Sequence, residues 1–336
     1  MNIGPELTVG VLAYPGCFAS EVFGVLDLLT MGTQVAHAHH QSAAMRTVVM
    51  SPRRRVTTSG GVLIGVQPLQ PVDVLIVPGF ELVPGENVET RLASLAPEVR
   101  AVRAHVAAGR AVVSICVGAF ILGTAGALRG RKATTAWLFA EDLRTQVPTA
   151  EIVSDELVVT DSGVTTTGAF SAMYDFALDL IERHHGPTVA RRTARVALLD
   201  DTRTSQSPYV DESLLPPAGS SFARTVQRQI ERDLDLPYDL SRLADHFHTS
   251  TRTLLRHYKA ETGEAPLAHL QRARVRHAQH LLETTTWTLG DIQRAVGYRD
   301  SGAFTALFDR HTGLRPRDYR ARFQRPRELR GRPDVS

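Results

Sequence analysis

The chain of 336 residues has two cysteines, Cys17 and Cys116, and no Cys-x-x-Cys pair. Two thiols cannot build a disulfide scaffold, and without a closely spaced pair they do not resemble a structural zinc site. Both read as free thiols, and no metal or other cofactor is expected. No run of about 18 apolar residues that could cross a bilayer is present; the longest candidate, Ile115 to Leu128, is short and glycine-rich. The segment from Met1 to Leu7 lacks the basic head and long apolar stretch of a secretory signal. The expectation is a cytoplasmic protein with no membrane partner. Aromatic residues make up only 6%, yet the mean hydropathy of -0.11 excludes a disordered chain.

What is present suffices for two cores, with 43% hydrophobic and 22% charged residues and roughly 100 to 200 residues per domain. The net charge of +3 hides a segregation: from Ser221 onward 21 Lys and Arg face 14 Asp and Glu, whereas before it 17 face 21. A basic C-terminal third behind a mildly acidic body points to nucleic acid for the former and a small molecule or partner for the latter.

Along the first two thirds, strand and helix patterns alternate. Leu7 to Ala13 reads as a buried strand and Glu21 to Met31 as a helix; strands follow at Arg46–Met50 and Val72–Val77, the latter ending in Pro78-Gly79. A helix over Glu98–Ala108 is closed by Gly109, and Ala111–Ile115 is a continuous apolar run of the kind buried on both faces of a parallel sheet. Leu157–Thr167 reads as a hairpin and Ala172–His184 as a helix. This alternation implies an open α/β sheet with its ligand site outside the carboxyl ends of the strands. Ser205–Ser220, rich in Ser, Pro and Gly, reads as a linker.

Beyond the linker no strand pattern remains, and apolar residues recur at three and four, as in Leu240, Leu243, Ala244 and Phe247. Asp239–Ala244 makes a short helix, His246–Thr249 a turn, and Ser250–Tyr258 a second helix, together a helix-turn-helix. Ser250 suits the N-cap; Leu254, Leu255 and Tyr258 face inward, leaving Thr251, Arg252, Thr253 and Arg256 to a DNA groove. The pattern recurs about fifty residues on, with Leu289–Val296, a turn at Gly297-Tyr298 and a helix from Ser301 to His311. There Asp300, Ser301, Ala303 and Thr305 offer only short contacts, and Gly302 loosens the helix by up to about 1 kcal/mol. Between the two, Leu267, Leu270, Leu281 and Leu282 mark the apolar side of a rigid connecting helix whose Arg272, Arg274 and Arg276 keep their charges in water. The arginines from Arg320 to Arg332 read as solvated or phosphate-binding.

These residues resemble the AraC/XylS DNA-binding domain over Leu240–Tyr319, most specifically in Asp291–Tyr298, Phe304–Phe308 and Gly313–Tyr319. The resemblance implies structural roles for Gly297, Phe304, Phe308 and Pro316. Toward the N-terminus, Ser114-Ile-Cys116-Val-Gly118 lies where a buried strand becomes a helix, a turn that presents a nucleophile to solvent at a helix N-terminus, where the dipole lowers a thiol pKa. With Val77-Pro-Gly79 and the first strand–helix unit, it resembles the PfpI-like branch of the class I glutamine amidotransferase-like superfamily from about Leu7 to Arg203. That implies an acidic residue from the first helix near the cysteine, matching Glu21. It also implies a histidine before Trp137, where this chain has Ala136. Without an imidazole the thiol loses its usual general base. Phe80 replaces a further glycine and narrows the pocket. Cys116 is left with two readings, a sensing or ligand contact and a structural relic.

The order of the two parts resembles the GlxA-type subgroup of AraC regulators, to which Thr165–Ala169 and Ala190–Arg203 also conform. The expected fold is a flavodoxin-like doubly wound sheet over 1–204, a linker over 205–221 and an all-α domain with two helix-turn-helix motifs over 222–325. The implied function is a non-enzymatic, sequence-specific transcription factor, an activator and homodimer. It would bind double-stranded DNA, a small-molecule effector near Glu21, Phe80, Cys116, Ala136 and Trp137, and RNA polymerase. The alternatives are a regulator responding to oxidants or electrophiles through a low-pKa Cys116, and a cysteine amidase or glyoxalase-like enzyme.

Overall fold

A computed structural model of the chain describes residues 6–41, 44–82, 87–200, 203–211, 214 and 222–324. It divides into two units, Met1–Gln206 and Ser207–Ser336.

In the first unit the apolar runs become strands β1 (Leu7–Leu12), β2 (Met45–Ser51), β3 (Val56–Thr57), β4 (Leu63–Ile64), β5 (Gln67–Pro68), β6 (Val74–Val77) and β7 (Ala111–Ser114). Then come β8 (Lys132–Ala133), β9 (Glu151–Ile152), β10 (Val158–Asp161) and β11 (Val164–Thr167). Seven of them form one sheet in the order β10-β11-β7-β6-β1-β2-β5. All neighbours are parallel except the terminal hairpin β10–β11. Every residue of β6 and β11 is buried, as strands covered on both faces require.

Helices α1 (Ala19–Ala38), α6 (Ala172–His185) and α7 (Pro187–Val196) pack on one another. A second group, α2 (Val88–Ser94), α3 (Ala96–Ala107), α4 (Ala119–Ala125) and α5 (Ala140–Gln146), packs around α4. Chain order runs outward from β1 to β5 on one side and through β6 and β7 to β11 on the other, with β10 added beyond it by the hairpin, so the switch point of this doubly wound sheet lies beside β1, and the loops after β1, β6 and β7 converge there.

Residues 205–206 depart from expectation. Ser205 and Gln206, assigned to the linker, belong to the first unit: Ser205 bridges Glu156, and the Gln206 amide donates to the Asp155 carbonyl at 2.8 Å. A strand edge offers unpaired backbone groups, and a passing chain satisfies them whatever its Ser and Pro content. Ser207–Tyr209 forms a 3-10 turn counted with the second unit, with Pro208 buried. The rest of the expected linker, at 212–213 and 215–221, lies outside the described residues.

The second unit holds α8 (Phe222–Arg232), α9 (Leu240–His246), α10 (Thr251–Thr262), α11 (Pro266–Thr284), α12 (Leu289–Ala295), α13 (Ser301–Thr312) and α14 (Pro316–Phe323). Two cores divide them. One gathers Val226, Ile230, Leu243, Leu254, Tyr258 and Leu270; the other gathers Val275, Leu282, Ile292, Phe304, Phe308 and Tyr319. Helix α11 supplies both, so the two motifs share one axle.

Two expectations for α11 need correction. Leu267 is exposed, because Pro266 takes the stripe position in the first turn. Arg274 does not reach water: it is 7% exposed, donates Nε to the Leu234 carbonyl at 2.8 Å and Nη2 to the Leu236 carbonyl at 2.6 Å, and stacks over Tyr298. Helix α8 ends at Arg232, so the Leu234 and Leu236 carbonyls that follow it have no helical partners, and a guanidinium fork meets them. Opposite it lies Gly297 at φ +77°, where a Cβ would come within 2.7 Å of the Leu234 carbonyl oxygen. Arg274 and Gly297 thus mortise the second motif against the loop of the first.

Candidate functional site

At the carboxyl ends of β1, β6 and β7 the structure brings Glu21, Gly79 and Cys116 together. Cys116 holds a left-handed backbone, φ +52°, a conformation strained for a residue with a Cβ. The turn is possible because residue 118 is glycine: a Cβ there would stand 2.5 Å from the Val77 carbonyl oxygen. Glu21, 0% exposed, accepts the Gly79 N–H on Oε2 at 2.5 Å, while its Oε1 has no hydrogen-bond partner among the described residues. Burial pushes the Glu21 carboxyl up to about 8, against the smaller opposing effect of the Gly79 bond. It is therefore an acid, not a carboxylate, at neutral pH.

The thiol is the main correction. Cys116 is 8% exposed rather than presented to solvent, and burial, with a further contribution from the Glu21 charge, pushes it up to about 12. The Val117 and Phe170 backbone groups pull the other way but do not prevail. The local effect of a helix start is outweighed by removal from water, because desolvation penalises the anion directly. Cys17 is likewise fully buried and pushed up to about 11.

Phe80 turns inward. Its ring meets Tyr14 edge-on at 6.4 Å, and Arg91 of α2 lies over it at 5.5 Å while also donating to the Pro15 carbonyl. Tyr14 donates its hydroxyl to the Pro78 carbonyl. Ala136 is buried and Trp137 half-buried. Around them a residue without a sequence signal takes a central place: Gln206, 2% exposed, accepts the Trp137 and Ala169 N–H groups at 3.2 and 3.3 Å and donates to the Thr135 carbonyl at 2.9 Å. Thr135 in turn donates Oγ1 to the Cys116 carbonyl at 2.8 Å. Nothing in the sequence near Gln206 marks it, since its partners lie up to 72 residues away.

In the second unit, Asp239, Ser250, Thr288 and Asp300 each cap a helix by accepting backbone N–H groups. Ser250 and Asp300 open α10 and α13, and Gly263 and Gly313, both left-handed, close them. Along α10, Arg252 and Arg256 are exposed and Thr251 half-buried; Thr253 is half-buried and its hydroxyl is engaged by Ser250. On α13, Ser301 and Ala303 are exposed and Thr305 is half-buried. Asp300 is committed to its cap, with Oδ1 2.6 Å from the Ala303 nitrogen. Arg272 pairs with Glu264 and Arg276 with Glu231. Arg322 stacks over Tyr209; the arginines after Gln324 lie outside the described residues.

An open α/β sheet with a strained cysteine turn, followed by paired helix-turn-helix motifs on a shared helix, defines a protein class of two joined modules. The sequence profile of the DJ-1/PfpI family matches residues 9–183 and that of a helix-turn-helix domain residues 243–322. The chain belongs to the DJ-1/PfpI family and carries an AraC-type helix-turn-helix domain behind it. Among curated proteins, the HTH-type transcriptional activator RhaR of Escherichia coli K12 is 30% identical over 112 residues, 33% of this chain. The match spans 40% of RhaR's length. Among solved structures, Drosophila melanogaster DJ-1beta superposes with a TM-score of 0.47 at 18% identity, covering 58% of this chain and all of that one. An AraC family transcriptional regulator from Pseudomonas putida gives 0.47 at 18% identity, covering 57% of this chain and 99% of that one.

Proposed function

We propose that the chain is a sequence-specific DNA-binding transcriptional regulator, homodimeric and cytoplasmic, whose DJ-1/PfpI unit senses a small molecule without turning it over. The observation that carries this reading is the start of α10. Arg252 and Arg256 stand exposed on a helix whose N-terminus is capped by Ser250 and whose other face is locked by Leu254 and Tyr258. A rigid helix that offers bidentate donors is what reading base edges in a major groove requires.

The absence of turnover is supported from the other unit. A nucleophile needs a base within hydrogen-bond reach and an accessible thiolate; here Ala136 stands where an imidazole would, and Cys116 is buried with its thiol pushed up. The same burial counts against Cys116 as a ready oxidant trap. Glu21 Oε1, without a partner among the described residues and on a carboxyl whose titration is pushed up to about 8, is suited to donate to an uncharged acceptor on an effector once the turn opens. RhaR is a transcriptional activator; in this proposal the chain too activates transcription, and it does so through contact with RNA polymerase.

The test is binding of the full chain to a duplex selected from a random library. Arg252→Ala and Arg256→Ala are each expected to weaken binding about tenfold, in line with roughly 1–3 kcal/mol per base contact. If both variants bind as the native chain does, α10 is not the reading helix.

A further inference from the structure

Gln206 is the last residue of the first unit and Ser207 the first of the second. Two hydrogen-bonded routes connect the Gln206 carboxamide to the Cys116 turn. In one, Gln206 Nε2 donates to the Thr135 carbonyl at 2.9 Å, and Thr135 Oγ1 donates to the Cys116 carbonyl at 2.8 Å. In the other, Gln206 Oε1 accepts from Ala169 at 3.3 Å, next to Gly168, whose carbonyl accepts the Cys116 N–H at 3.1 Å. Trp137 N–H and the Glu156 carbonyl complete the cage at 3.2 and 3.3 Å.

The chemistry of the cage selects a carboxamide. Its oxygen meets two N–H donors and its nitrogen two carbonyl oxygens, which also accept from the Thr134 hydroxyl at 3.0 and 3.4 Å; a carboxylate would set an oxygen against those carbonyls, and an alkyl chain would take the carboxamide's oxygen from the Trp137 and Ala169 N–H groups in a buried site. On the far side of the next peptide bond, the Ser207–Tyr209 turn is held within its own unit. Tyr209 meets the Phe323 ring at 5.3 Å and lies under Arg322, while Ser207 and Val210 border a small cavity with Val275 and Gln279 of α11 and His311 and Thr312 of α13. Ser207 follows Gln206 directly in the chain.

We propose that Gln206 is the positioning residue that couples the Cys116 turn to the helix-turn-helix unit, so that rearrangement at the turn shifts the seat of Ser207–Val210 and changes DNA affinity. This rests on the regulator reading above. Coupling between sites is reciprocal in free energy, and where the turn opens and closes faster than the thiol reacts, the alkylation rate follows the population of the open turn, so the coupling can be read backwards, from DNA to thiol, without knowing the effector.

The experiment uses the full chain and a duplex selected by it from a random library. The rate of Cys116 alkylation by iodoacetamide, located by peptide mass spectrometry with Cys17 as internal control, is measured with and without the duplex. In the native chain the duplex is expected to change the Cys116 rate about fivefold or more, the lower end of usual site–site coupling. In Gln206→Glu and Gln206→Ala, with fold checked by circular dichroism and duplex binding retained, the change should fall below about twofold; in Thr135→Val, which cuts one route, it should be intermediate. A residue that merely braces the fold would raise the rate equally with and without duplex. A duplex that leaves the native Cys116 rate unchanged, variants that keep the native change, or failure of both Gln206 variants to fold would overturn the coupling. Failure to select any duplex would instead overturn the regulator reading.

Discussion

Glu21 and His185 are buried groups that pull on stability in opposite directions. The folded Glu21 carboxyl, pushed up to about 8 from 4.5 by burial, holds its proton where the unfolded chain has lost it. Its effect is a loss of stability as pH rises from 4.5 to 8, at most about 1.4 kcal/mol per pH unit. His185 is buried, neither ring nitrogen has a hydrogen-bond partner among the described residues, and burial, then His184 and His37, lower it from 6.5 to about 4. The unfolded chain therefore takes up that proton first, and the folded state weakens as pH falls from 6.5 to 4. The two slopes oppose below 6.5, leaving Glu21 alone between 6.5 and 8. Glu21→Gln keeps an acceptor for the Gly79 N–H without a titrating proton. Urea midpoints at pH 6.5 and 8 should converge in this variant and differ more in the native chain; an equal pH response in both would show that Glu21 is ionised in the fold.

At the scale of elements, the two helix-turn-helix motifs are a repeat in their caps as well as their cores. Ser250 and Asp300 start the second helices, Tyr258 and Phe308 fill the middle, and Thr262 and Thr312 turn their hydroxyls back to the carbonyls four residues before. The sequence displays all of this locally, which is why the motifs were legible. Arg274 was not, because helical spacing names the face of a residue but not the loop that lands on it. Replacing Arg274 by alanine removes two charge-assisted bonds and strands the Leu234 and Leu236 carbonyls; a loss of roughly 3 kcal/mol is expected from urea denaturation. A loss below about 1 kcal/mol would mean that water replaces the guanidinium without penalty.

Over the whole molecule, the alternation of strand and helix and the position of the cysteine turn followed from apolar runs and a few glycines, because buried parallel strands are written as such runs, whereas the approach of Glu21 followed only from the family resemblance. Gln206 and the raised Cys116 thiol did not follow, since each depends on groups from distant segments closing over it. Charge distribution is the remaining global property. With 21 basic against 14 acidic residues from Ser221 onward and an acidic excess before it, association with a duplex should be governed by counterion release. Affinity for the selected duplex is expected to fall at least about a thousandfold between 50 and 200 mM salt if some six phosphates are contacted, as a salt titration by fluorescence anisotropy would read. A flat response would place the basic surface away from the DNA.

The mortise of Arg274 against Gly297 bears on the partner as much as on the protein. Two heads fixed to one shaft cannot adjust their separation, so a duplex engaged by both must bring its grooves to them. Curvature would then be selected in base pairs that no side chain reaches, and flexible pyrimidine–purine steps between the two contacted boxes would strengthen an operator as surely as a better base contact.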